Sequence, residues 1–191
     1  MKIILASKSP RRKELLSMLD VDFDIIEAVN DEIPLPNLTH SEQAEHLSFE
    51  KANEVFNKTT GDRVVIGSDT TVVINDKVYG KPKDESDAFE TLKILSGNTH
   101  QVYTGLTIIS EINGVKSCSI CSDVVSVKFV EMSDKDISEY IASKDPMDKA
   151  GSYGIQGKGA KFIESINGNY FSVMGLPIHL VFKIFKELGI K

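Results

Sequence analysis

The residues from Arg63 to Asn75 are mostly β-branched and apolar, but Gly67-Ser68-Asp69-Thr70-Thr71-Val72 breaks that pattern with polar side chains. A carboxylate in such a run is costly unless it is paired or bound to a cation. Carboxylates at strand ends hold Mg²⁺ or activate water. Asp69 is thus a candidate for metal binding or proton transfer, and an Asp that caps a turn is the alternative. A second candidate is Ser7-Lys8-Ser9-Pro10-Arg11-Arg12, directly after the apolar Ile3-Ile4-Leu5-Ala6. A helix beginning there presents unpaired N–H groups that bind anions. Two hydroxyls and two arginines add donors suited to phosphate oxygens. Arginines in a first turn oppose the helix dipole, and an anionic ligand would justify them.

Two further stretches carry weaker signals. Gly80-Lys81-Pro82 frames a lysine suited to a phosphate charge, although most lysines simply face solvent. Gly151-Ser152-Tyr153-Gly154-Ile155-Gln156-Gly157-Lys158-Gly159 lets backbone approach a ligand closely. It is neither a Walker A loop nor a dinucleotide fingerprint, since no Ser or Thr follows Lys158 and no clear helix follows the glycines. Gln156 offers both a donor and an acceptor to a base edge; a flexible connector is the bland alternative. Cys118 and Cys121 form a CxxC with no second ligand pair for zinc. The surrounding residues read as a strand, on which positions three apart face opposite ways, so the thiols are expected to be neither ligands nor a redox pair.

The elements that must position these residues follow from local signals. Ile3–Ala6 reads as a strand. Ser9 caps a helix with Pro10 at its first position and a buried stripe of Leu15, Leu16 and Leu19. Phe23–Glu27 reads as a strand and Ala28–Leu38 as a loop. Thr39-His40-Ser41-Glu42 is a capping box opening a helix to about Asn57. Arg63–Asn75 is a strand interrupted at Gly67–Thr70 and turned back by Asn75-Asp76-Lys77 through Val78 and Tyr79. Asp84 caps a helix that stops at Gly97. Val102–Ile112 and Val115–Val130 are strands joined by Asn113-Gly114, a type I′ hairpin signal. Ser133 caps a helix ending before Asp145-Pro146. Phe162–Ile166 is a strand, Asn167-Gly168 a turn, and Pro177–Leu188 a closing helix. The pattern is α/β with a mixed sheet, because the long hairpin argues against a purely parallel one. Without a linker, residues 1–191 are expected to form one domain of two lobes on a continuous sheet, with a cleft between them.

With 191 residues the chain can bury a sizeable core. A formal net charge of −6 argues against a broad nucleic-acid or anionic-membrane surface, so any anion site must be local. No apolar run approaches the roughly 20 residues of a membrane span. The apolar opening is too short for a signal-peptide core, which leaves the cytoplasm as the expected location.

Taken in order, these motifs resemble the Maf family of nucleoside-triphosphate pyrophosphatases over essentially the whole chain. The marks are Ala6-Ser7-Lys8-Ser9-Pro10-Arg11-Arg12, Gly67–Val72 with Gly80-Lys81-Pro82, Val102-Tyr103-Thr104-Gly105-Leu106, Gly151–Gly157, and Val173-Met174-Gly175-Leu176-Pro177. The resemblance implies metal-dependent cleavage between the α- and β-phosphates of non-standard or pyrimidine nucleotides. It implies a fold similar to the inosine triphosphatases, with two lobes around an elongated curved sheet, often as a homodimer. Asp69 matches the family's proton acceptor, and Ser7, Arg12, Lys51 and Lys81 match its phosphate-binding set. Glu32 and Asp69 match acids at a divalent metal, Mg²⁺ or Mn²⁺. Arg11, Thr70 and Gln156 match positions that track specificity, and Thr70 resembles the branch acting on dTTP and UTP. The family's link with cell-division arrest raises an alternative, a nucleotide-binding regulatory module with little turnover.

Overall fold

A computed structural model describes residues 1–29 and 33–190. Glu32, expected near a metal, lies outside the described residues. Strand β1 (Lys2–Leu5) leads into helix α1 (Pro10–Ser17), where the Ser9 side chain accepts from the Arg12 amide at the N-cap. Leu15 and Leu16 are fully buried, but Leu19 lies past the end of α1 and is only half-buried. The expected strand at Phe23–Glu27 shrinks to β2 (Asp24–Ile25). Helix α2 (His40–Lys58) opens with the complete capping box of Thr39 and Glu42.

Strand β3 (Arg63–Ile74) runs without interruption through Gly67–Thr70, contrary to the expected break. Its polar residues stay in the strand because partners elsewhere in the chain satisfy them. Asn75 and Asp76, both with positive φ, then turn the chain into β4 (Lys77–Tyr79). Next come α3 (Glu85–Leu95), capped by Asp84, β5 (Thr99–Ile112) and β6 (Val115–Phe129). Asn113 and Gly114 join the long strands with φ values of 51° and 78°, as a type I′ turn requires. Ser133 and Asp136 form a second capping box on α4 (Asp134–Ala142). Short 3₁₀ turns occupy 145–148, 150–152 and 157–162 before β7 (Ile163–Asn167). A short helix not expected from the sequence, α5 (Tyr170–Met174), precedes the closing α6 (Ile178–Glu187).

Seven strands among the described residues form one mixed sheet in the order β2-β1-β3-β5-β6-β7, with β4 paired to β3. β1 is parallel to β2 and β3, as helical crossovers demand, while β4 and β7 pair antiparallel to β3 and β6. This is the mixed α/β class expected.

The chain divides into two compact units. Unit 1 comprises Met1–Asp69, Thr104–Asp123 and Gly175–Lys191, and unit 2 comprises Thr70–Tyr103 and Val124–Met174. In unit 1, Ile4, Val65 and Ile109 on the strands and Ala6 just past β1 pack against Ala52, Val55 and Phe56 of α2. In unit 2, Val72, Val102, Val127 and Phe129 pack against Leu92 and Leu95 of α3 and Ile137, Tyr140 and Ile141 of α4. No helix among the described residues is long and apolar enough to cross a membrane.

Candidate active site

In unit 1, β3 and α2 bring Asp69 and Lys51 together. The Lys51 Nζ donates to Asp69 Oδ1 at 2.5 Å, and the two side chains are only 15% and 7% exposed. The approach depends on glycine. A Cβ on Gly67 would stand 2.3 Å from the Ser48 carbonyl oxygen, and one on Gly105 2.0 Å from that of Ala44. Without those side chains, α2 lies directly on the backbone of β3 and β5. Two residues further along β3, on the face that bears Gly67, Asp69 therefore meets Lys51, which lies on α2 between Ser48 and Ala52.

The β1–α1 junction supplies the second group. Ser7 is buried, and its hydroxyl accepts from the Ser9 amide at 3.2 Å and from Arg12 Nη1 at 3.4 Å. Arg12 Nε donates to the Gly175 carbonyl at 2.8 Å. The same carbonyl accepts from the Ser68 hydroxyl at 2.9 Å, which is also 2.8 Å from the Gly105 carbonyl. Gly175 thus ties the arginine of α1 to the strand residue next to Asp69. This knot joins four of the sequence motifs inside unit 1. Sequence reasoning named Ser7, Arg12 and Asp69 but gave Ser68 and the Gly175 carbonyl no role. Their only signal was membership of the motifs.

Unit 2 holds Thr70, Lys81 and Gln156. The Gly151 amide donates to the Gly80 carbonyl at 3.0 Å, which anchors the Gly80-Lys81-Pro82 segment. A Cβ on Gly151 would fall 2.7 Å from Val72, whose side chain shares a strand face with Thr70. The three stretches singled out in this part of the sequence therefore meet around Gly151. Lys81 is exposed, and Thr70 and Gln156 are half-buried. The glycine-rich stretch is not a loose connector, because residues 151–155 are all buried.

Two other groups lie apart from these knots. Cys118 and Cys121 lie on strand β6 as expected and are free thiols. Burial pushes both thiols up from their ordinary range, and Glu45 and Asp123 add to the effect at Cys121, which disfavours the thiolate needed for nucleophilic or ligand chemistry. A groove of about 390 Å³ between Cys118–Cys121 and Leu180–Glu187 contains none of the expected catalytic, phosphate-binding or specificity residues.

A family model described as Maf-like protein matches residues 2–188. The chain belongs to the Maf-like family. A dTTP/UTP pyrophosphatase of Clostridium novyi (strain NT) is 46% identical over 192 residues, covering 100% of this chain and 99% of the relative. One from Aquifex aeolicus (strain VF5) is 45% identical over 193 residues, 100% of this chain and 97% of the relative. One from Alkaliphilus oremlandii (strain OhILAs) is 46% identical over 182 residues, 93% of this chain and 91% of the relative. A solved nucleoside-triphosphatase / dITP/XTP pyrophosphatase from Mycobacterium abscessus aligns with 69% of this chain and 76% of its own at 14% identity and a TM-score of 0.40.

Proposed function

We propose that this Maf-like chain hydrolyses nucleoside triphosphates, dTTP and UTP foremost, to the monophosphate and pyrophosphate. The observation that carries the reading is the buried Asp69 carboxylate fixed by Lys51 at 2.5 Å. The names of the full-length relatives support the substrate class.

In the proposed reaction a water oxygen attacks the α-phosphorus, and the bond from that phosphorus to the β-phosphate's bridging oxygen breaks. Asp69 accepts the water's proton. Lys51 fixes the carboxylate and offers charge to the phosphates. Ser7 and Arg12 bind phosphate oxygens, with Arg12 held in orientation by the Gly175 carbonyl and the Ser7 hydroxyl. Lys81 adds a cation that stabilises the departing pyrophosphate. Arg11, Thr70 and Gln156 select the base. No covalent enzyme intermediate is needed.

The donor set fits a hard divalent cation. Among the described residues no group of three or more His, Cys, Asp or Glu side chains could hold a metal. Mg²⁺ commonly takes one or two carboxylates and completes its shell with water and substrate phosphates. Asp69 would hold it, and Glu32 is assigned to it by resemblance alone. When bound, Mg²⁺ or Mn²⁺ supplies charge neutralisation on the phosphate oxygens. The same reading makes the enzyme cytoplasmic, where nucleoside triphosphates circulate, and homodimeric.

The test is product analysis on a nucleotide panel with Mg²⁺ or Mn²⁺. Pyrophosphate released from dTTP and UTP in preference to ATP and GTP is the expected result. Orthophosphate as the first product would make the chain a phosphatase. Tight binding without turnover would make it a regulatory module.

A further inference from the structure

Gln156 stands at the tip of a closed loop in unit 2, and the neck of that loop is built around one buried hydroxyl. Tyr140 of α4 is 2% exposed, and its Oη donates to Asp145 Oδ2 at 2.8 Å and accepts from the Gly154 amide at 3.2 Å. The chain returns to the same point five residues later. A Cβ on Gly159 would lie 2.6 Å from the Tyr140 Oη and 2.5 Å from the Gly154 carbonyl oxygen. Residues 154 and 159 thus close on each other beside the phenol, with Gln156 in the span between them.

The other contacts of the loop converge on the same clasp. Lys149 Nζ pairs with Asp145 Oδ1 at 3.2 Å, and its methylenes cover Gly154, where a Cβ would stand 2.8 Å from Cε. A Cβ on Gly157 would be 3.6 Å from Asp145 Oδ1. On the other side of Gly154, Tyr153 is driven into the core, its hydroxyl 2.8 Å from His100 Nε2 and its ring edge-on to Phe129. Gly151 and Ser152 enter the loop with φ of 66° and 59°. A serine in that region persists only where its surroundings over-determine the backbone. Burial raises the Tyr140 phenol above its ordinary range, so at neutral pH it keeps the proton it donates to Asp145.

We propose that Tyr140 is a specificity-positioning residue, whose hydroxyl, braced by Asp145, sets the loop that presents Gln156 to the nucleotide base. The proposal rests on the reading of Gln156 as a base-contacting residue. Tyr140 itself touches no substrate and acts only through the Gly154 amide and Asp145.

Tyr140→Phe removes one hydroxyl and keeps the ring that packs edge-on to Phe162 at 5.3 Å. The expected result is a loss of about fivefold in the kcat/KM preference for dTTP over ATP, the size of one neutral hydrogen bond. The loss should reside in KM for dTTP, with the pH profile of kcat in place. Gln156→Ala should lose at least as much, and the double variant should lose no more than Gln156→Ala alone, because the two act through one contact. A folded Tyr140→Phe with wild-type preference, beside a Gln156→Ala that has lost it, overturns the role of Tyr140 and leaves the base-reading assignment standing. Wild-type preference in Gln156→Ala overturns that assignment and the proposal with it. Should Tyr140→Phe fail to fold, Asp145→Ala at the half-buried end of the clasp replaces it, and unchanged preference there refutes the proposal.

Discussion

Asp69→Asn is the sharpest test of the proposed chemistry. The substitution conserves size and leaves an oxygen that accepts from Lys51, but the amide takes no proton from water at neutral pH. Loss of a general base costs about 10²- to 10⁴-fold in rate, or roughly 3–5 kcal/mol of barrier. Stability should change less. The Lys51–Asp69 side chains are 15% and 7% exposed, and removing one partner of such a buried pair outright costs about 3–5 kcal/mol. Asn retains a hydrogen bond, so about 1–3 kcal/mol is the expected loss. That lowers Tm by several degrees at about 2–4 °C per kcal/mol for a chain of this size, and the variant stays folded at 25 °C. Asp69→Ala, which leaves the lysine with no acceptor, should melt lower still. Triphosphate binding should persist or tighten, since a negative charge beside the phosphates is gone. The assay is kcat by pyrophosphate release, with calorimetric binding of a non-hydrolysable dUTP analogue and a thermal melt on the same preparation. A folded Asp69→Asn protein that keeps more than about a tenth of wild-type kcat would exclude Asp69 as the base.

Arg12→Ala should weaken dTTP and UTP alike by about 10- to 100-fold in kcat/KM, the size of one charge-assisted contact; a loss confined to one base would make Arg12 a base reader. Cys118→Ser and Cys121→Ser, singly or together, should leave turnover and metal content unchanged, and stoichiometric zinc lost from the double variant would refute this. Burial lowers the His100 pKa from 6.5 to about 4, so the unfolded chain takes up this proton at higher pH than the folded one. The folded state thus keeps its full advantage above pH 6.5 and loses it as pH falls toward about 4. Urea melts across that window should show a shallower pH dependence for His100→Gln than for the wild type, and equal slopes would place the titration elsewhere.

What could be read from the sequence was what local chemistry decides. The Thr39–Glu42 capping box, the Ser9-Pro10 helix start and the paired positive-φ residues of both hairpins each act over a few residues. The expected break at Gly67–Thr70 failed because the partners that keep those residues in a strand are remote. Ser68 donates to carbonyls 37 and 107 positions away, and Asp69 takes its lysine from a helix 18 positions back. The same limit left a flexible connector open as an alternative for Gly151–Gly159, whose glycines serve close packing against Val72, Lys149 and Tyr140. Of the candidate site, Ser7, Arg12 and Asp69 were legible as types in a pattern. The Gly175 carbonyl that links Arg12 to Ser68 was not, because a backbone acceptor leaves no mark in composition.

The bare backbone beneath α2 makes the gene fragile in a particular way. Alanine differs from glycine by one base in the codon, and at Gly67 or Gly105 that error would drive a methyl carbon to within 2.3 or 2.0 Å of a helix carbonyl oxygen. The helix would have to lift, carrying Lys51 away from Asp69, so two positions with no chemistry of their own should tolerate mutation as poorly as the acid itself. Glycine-to-alanine replacement, a common route to heat resistance, is closed at both. A stabilised version of this chain must begin elsewhere, for example at Gly80, where an added Cβ meets nothing within 4 Å.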